Sequence, residues 1–127
     1  MTTEKPQRFG FVIRLEADKI ETYRRLHEAP WPGVLARIGA SKIRNYSIFL
    51  AELEPEQHYL FAYYEYVGDD HEADLRAMAE DEETLRWWRE TDPCQRPIAT
   101  ASAGERWSRM VEVFHFDGSR RDDDATS

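Results

Sequence analysis

Cysteine is almost missing from this 127-residue chain, where Cys94 stands alone. No disulfide can form within it, and a lone thiol fits a reducing compartment, so the cytoplasm is the expected location. Following Pro93, it reads as a small residue at a helix end rather than as a nucleophile. Positive charge is scarce as well. Against 25 Asp and Glu stand 17 Lys and Arg, a formal net charge of −8. The basic residues fall singly or in pairs among acids. That pattern excludes a nucleic-acid partner, because phosphate binding needs clustered cations to displace counterions. A neutral, polar small molecule suits this charge. Neither the opening residues nor any longer stretch carries an extended apolar run, so no signal peptide and no membrane partner are expected. With six glycines and no Gly-x-Gly-x-x-Gly or phosphate loop, no nucleotide cofactor is expected. The four histidines are His27, His58, His71 and His115. No two share an element at metal-ligand spacing, and no Cys-x-x-Cys or His-Glu-x-x-His occurs, so no metal is expected.

What is present is a core. Hydrophobic residues make up 41% and aromatics 13% of the chain, enough to fill the one domain that its length favours. That domain is expected over residues 1–117, its core within 9–116, with 118–127 a disordered polar tail. Residues 9–15 alternate, placing Phe9, Phe11, Ile13 and Leu15 on one face of a strand. Asp18-Lys19-Ile20-Glu21 reads as a capping box opening a helix, and Pro30 ends that helix near Glu28. Pro32 opens a second short helix that Gly39 is placed to stop. A strand over 43–50 sets Tyr46, Ile48 and Leu50 on one side. A polar turn with Pro55 leads to a third strand over 59–66. Helical patterning covers 71–91 with a break near Asp81, and a last strand is predicted over 107–116. The order β-α-β-β-α-β is the ferredoxin-like α+β pattern. Helices on one sheet face leave the other bare, and its large residues predict a homodimer packed sheet to sheet, a dimeric α+β barrel. The fold by itself fixes no function.

Three segments concentrate chemistry. Tyr23 and His27 stand four residues apart on one helix face, and Trp31 follows the Pro30 break. Either they line a polar pocket with apolar walls, or they cap an edge of the core. Trp87 and Trp88, adjacent on a helix, point about 100° apart. One can serve the core while the other faces a cavity, or both are core. Asn45 and Tyr46 are neighbours on a strand and face one cavity only if the strand is bulged or ends there. Glu112 sits among Met110, Val111, Val113 and Phe114, either as an inward carboxylate or as a solvent-facing or paired edge residue.

Taken in order, Tyr23-x-x-x-His27-x-x-x-Trp31-Pro32, Asn45-Tyr46-x-Ile48-x-Leu50, Arg86-Trp87-Trp88 and Glu112-Val113-Phe114 resemble the L-rhamnose mutarotase family over residues 9–116. The resemblance implies a dimer of ferredoxin-like subunits that works without metal or cofactor on a monosaccharide. It implies His27 as the proton-donating catalytic residue and Tyr23, Tyr46, Trp87 and Trp88 as sugar-binding residues. Two positions depart from the family pattern: Leu26 precedes His27 where an arginine is usual, and Gly33 follows Trp31-Pro32 where an acid is common. The strand over 43–49 is similar to family sequences associated with L-fucose. The implied reaction interconverts the α and β anomers of L-rhamnose or a related 6-deoxy sugar by ring opening and closing. An imidazole suits it, since histidine titrates around neutral pH and can give or take a proton there. Tyr23, Tyr46 or water is available to pass the second proton, with Glu112 a more distant choice. A different enzyme class shares the fold: haem-degrading or quinone-forming monooxygenases, in which His27 would ligate haem.

Overall fold

The computed structural model describes residues 5–118. Strand β1 (Gln7–Leu15) turns through a short 3-10 segment, Ala17–Lys19, into helix α1 (Ile20–Glu28). No side chain caps α1. The expected Asp18 cap is therefore not made, and the 3-10 turn starts the helix instead, with the Lys19 amide donating to the Glu16 carbonyl. Pro32 opens α2 (Pro32–Ala40), which runs through Gly39 rather than stopping there. The reversal comes at Lys42, whose φ is 67°, after the Ser41 amide has closed the last turn onto Arg37 and Ile38. Strands β2 (Ile43–Glu54) and β3 (Gln57–Tyr66) form a hairpin longer than the alternation predicts. The helical stretch after it divides as expected at Asp81, into α3 (His71–Met78) and α4 (Glu82–Thr91). Asp70 and Asp81 cap these two helices by accepting from the Ala73 and Thr84 amides.

The sheet is antiparallel, in the order β2-β3-β1-β4, where β4 is the two-residue strand Gln95–Arg96. Strand β5 (Ser108–Met110) pairs with β1 on that same edge, so two fragments share the fourth place of a ferredoxin-like α+β sheet. The single last strand predicted over 107–116 is thus corrected in both directions. Only Ser108–Met110 pairs, and Gln95–Arg96 was missed. Beyond Met110 the chain runs past Gln7–Phe9 of β1 without forming a ladder with it. Glu112 still falls opposite Arg8 in the continued register, and the two side chains pair at 3.0 Å. The remaining tail, 119–127, lies outside the described residues.

The four helices cover one face of the sheet. There Ile13, Leu15 and Leu60 meet Tyr23 and Cys94, with Ile20, Ile48 and Trp107 beside them. A second cluster joins Ile43, Tyr64 and Met78 to Phe9, Phe11, Ile38, Leu75 and Trp88. Cys94 is buried, and burial raises its thiol pKa, which fits a packing role. On the opposite face Val12, Phe49, Phe61, Tyr63 and Met110 share the pleat by register, and Phe49 is 63% exposed.

Candidate active site

Between the helices and their side of the sheet lies a cleft of about 1060 Å³. All five residues singled out in the sequence line it: Tyr23, His27, Tyr46, Trp87 and Trp88. Each arrives by a local rule. The i, i+4 spacing on α1 brings the rings of Tyr23 and His27 to 4.3 Å, tilted by 33°. Trp87 comes across from α4 and meets His27 edge-on at 5.3 Å, while Trp31 braces the other side of Trp87 at 5.2 Å. Trp88, one residue on, turns toward the second core cluster and lines the cleft from there.

Tyr46 owes its position to a bulge. The β2–β3 register shifts by one residue between Arg44 and Ser47, and Asn45 takes φ 51°. The inserted residue moves Tyr46 to the helix side with Ile43 and Ile48, instead of leaving it on the open face. Its ring then meets Tyr64 edge-on at 5.4 Å. Asn45 points elsewhere and donates to the Glu65 carboxylate at 2.8 Å. Glu112 does not reach the cleft. It is bound to Arg8 on the sheet's open side, and that bond holds its carboxyl below the usual range.

The electrostatics of His27 follow from one bond. Its Nδ1 lies 2.8 Å from the Tyr23 backbone carbonyl. A carbonyl only accepts, so Nδ1 carries the proton and donates it. In the neutral ring the lone pair is then on Nε2, which has no protein partner among the described residues. An imidazole held this way takes a proton at Nε2 when neutral and gives one from Nε2 when charged. The Tyr23 hydroxyl is buried, which pushes its pKa far above that of an ordinary phenol and keeps it protonated. It accepts from Gln95 Nε2 at 3.2 Å.

Sequence reasoning did not find several cleft residues. Tyr64 alternates with Leu60, Ala62 and Tyr66 as any core residue does, yet its hydroxyl bonds His71 Nε2 at 2.7 Å. Burial, with Arg109 nearby, lowers the pKa of His71 and favours its neutral form. Arg109 lies over the Phe9 and Phe11 rings and pairs with Glu72. Gln95 and Arg106 come from a stretch that reads as loop. No local pattern marks any of these, because strand pairing and not spacing brings them in. Among the described residues, no group of three or more His, Cys, Asp or Glu is placed to hold a metal. No described helix is long and apolar enough to cross a membrane.

The chain that forms this cleft matches a known family over nearly all of its described residues. Residues 8–116 fit the profile of L-rhamnose mutarotase. This chain belongs to the L-rhamnose mutarotase family. It is 35% identical over 112 residues to the L-rhamnose mutarotase of Klebsiella pneumoniae, covering 86% of this chain and 97% of that one. To the Bacillus subtilis protein of that name it is 33% identical over 111 residues, covering 87% and 99%. The crystal structure of an L-rhamnose mutarotase from Formosa agariphila superposes with a TM-score of 0.65 at 22% identity, over 87% of this chain and 99% of the other. That likeness supports the α+β fold. Membership in the L-rhamnose mutarotase family makes the chain an isomerase acting on carbohydrate and sets aside the haem-degrading class. One of its departures from the family pattern, at Gly33, has a counterpart in space. At Gly33 a Cβ would fall 2.8 Å from Glu83 Cδ, so the Glu83 carboxyl from α4 occupies the room that a side chain at 33 would need.

Proposed function

We propose that this protein interconverts the α and β anomers of L-rhamnose or a closely related 6-deoxy sugar such as L-fucose, with His27 as its acid–base residue. The observation that carries the reading is the tethered imidazole: Nδ1 fixed on the Tyr23 carbonyl, Nε2 free in an aromatic cleft. Mutarotation protonates the ring oxygen, removes the proton of the C1 hydroxyl, breaks the C1–ring oxygen bond and leaves an aldehyde. After C1 rotates, the same steps run backwards. His27 in its charged form gives the ring oxygen its proton and recovers it on closure. The C1 hydroxyl proton leaves through Tyr46 or water. Trp87 and Trp88 offer aromatic faces to the C–H side and the C6 methyl of the sugar. Saturation transfer between the anomeric protons of L-rhamnose, L-fucose, L-arabinose and D-sugars tests the reading directly. Faster exchange is expected for one or both 6-deoxy L-sugars. Exchange at the buffer rate across the whole panel would sink it.

The same reading includes a homodimer in the cytoplasm. The free, buried Cys94 supports a reducing compartment. Support for the dimer comes from the open sheet face and from the segment after β5, where Val111, Val113, Phe114 and Phe116 are each at least 65% exposed. Apolar surface on that scale marks a contact site, and a second copy of the same face answers it with two-fold symmetry. Light scattering at micromolar concentration should give about twice the mass of one chain. A monomer under those conditions removes the dimer.

A further inference from the structure

Gln95 carries a buried amide beside Tyr23. It is 9% exposed, in the wall of the cleft, with Cys94 and Leu15 of the first core cluster as its chain and strand neighbours. A buried amide is costly there unless it is hydrogen-bonded, and an apolar side chain would be easier to bury. Its backbone is held firmly. Leu15 pairs with it in the sheet, and the Arg106 guanidinium donates to the carbonyls of Asp92 and Gln95 at either end of the Asp92–Cys94 turn. From this anchored position its Nε2 reaches the Tyr23 hydroxyl oxygen.

An amide nitrogen donates and does not accept. The Tyr23 hydroxyl has one proton, and Gln95 already occupies an acceptor site on its oxygen. No described residue accepts the Tyr23 proton, and both residues line the cleft. We infer that Gln95 is a positioning residue that fixes the direction of the Tyr23 hydrogen bond, so that Tyr23 presents a proton, not a lone pair, to an oxygen of the bound sugar. Tyr23 then orders the site from both ends: its carbonyl sets the tautomer of His27, and its hydroxyl, aimed by Gln95, donates to the substrate. The inference rests on the reading above that Tyr23 contacts the sugar.

Gln95→Glu tests it because the shape is kept while the bond reverses. An ionised carboxylate only accepts, so it draws the Tyr23 proton away from the cleft. Exchange measured by anomeric saturation transfer, as the ratio of variant to wild type at each pH, should fall about ten- to a hundredfold at pH 8, the cost of turning one buried donor away. The ratio should climb as pH drops and the carboxyl regains a proton to donate. Gln95→Met, which makes no bond at all, should lose only severalfold and show a pH-independent ratio. In a Tyr23→Phe background, Gln95→Glu should cost nothing further. A ratio near one at every pH, with Tyr23→Phe still slow, overturns the role of Gln95. Full exchange in Tyr23→Phe overturns instead the reading that Tyr23 contacts the sugar. Should Gln95→Glu fail to fold, Gln95→Met decides: its loss must vanish in the Tyr23→Phe background, and an additive loss means that Gln95 only supports the fold.

Discussion

His27→Asn is expected to fold, bind the sugar and lose anomer exchange by about 10²–10⁴-fold, the range over which a positioned acid–base group contributes. Asparagine is the informative replacement. Its amide nitrogen falls close to the place of Nδ1, so it can keep donating to the Tyr23 carbonyl that His27 reaches at 2.8 Å. What it lacks is any group at the place of Nε2, and it cannot exchange a proton near neutral pH. The helix bond is retained while the chemistry is removed. If His27 served only to cap an edge of the core, the outcome would reverse, with a lower melting temperature and normal exchange per folded molecule. Both quantities can be read on one sample. Wild-type exchange in a folded His27→Asn protein would end the assignment.

Trp87→Ala is expected to have the largest effect on the fold. Trp87 is 7% exposed and wedged between His27 and Trp31, each met edge-on at about 5 Å. Truncating a buried aromatic costs about 3–5 kcal/mol, a large share of the roughly 5–15 kcal/mol that holds a domain together. For a domain of this size that is about 10–20 °C in melting temperature. The same truncation leaves the His27 ring without a wall on that side, so exchange should fall even in the folded fraction. Trp88 is only half-buried and packs at the edge of the second cluster. Trp88→Ala should therefore lose less stability and show its effect chiefly as weaker sugar binding. Thermal melts and sugar titrations of both variants separate the two roles. If both retain wild-type stability, the account of α4 as the wall between core and cleft is wrong.

Much of this could be read along the chain. Alternation placed Phe9, Phe11, Ile13 and Leu15 on one face, and that face is where the helices pack. The i, i+4 rule brought Tyr23 and His27 together, and the two prolines divided α1 from α2. These features depend on neighbours within a few residues, so the sequence records them directly. Boundaries set by a partner were read less well. Val111, Val113 and Phe114 have the composition of a strand, but the ladder with β1 stops at Met110 although β1 itself runs on to Gln7.

The sequence alone determined the order of the main elements, the expectation of a bare apolar sheet face, the family, and five of the residues that line the cleft. Only the tertiary structure decided how those residues are aimed. A one-residue bulge turned Tyr46 to the helix side, a carbonyl one turn back along α1 chose the proton-bearing nitrogen of His27, and Gln95, 72 positions from Tyr23, bonded its hydroxyl. The physical reason is the reach of the forces involved. Helix and strand periodicity acts over a few residues and is written in local spacing. Hydrogen-bond direction at a buried site depends on groups that only chain pairing brings within 3 Å, and nothing in the spacing of residues records that meeting.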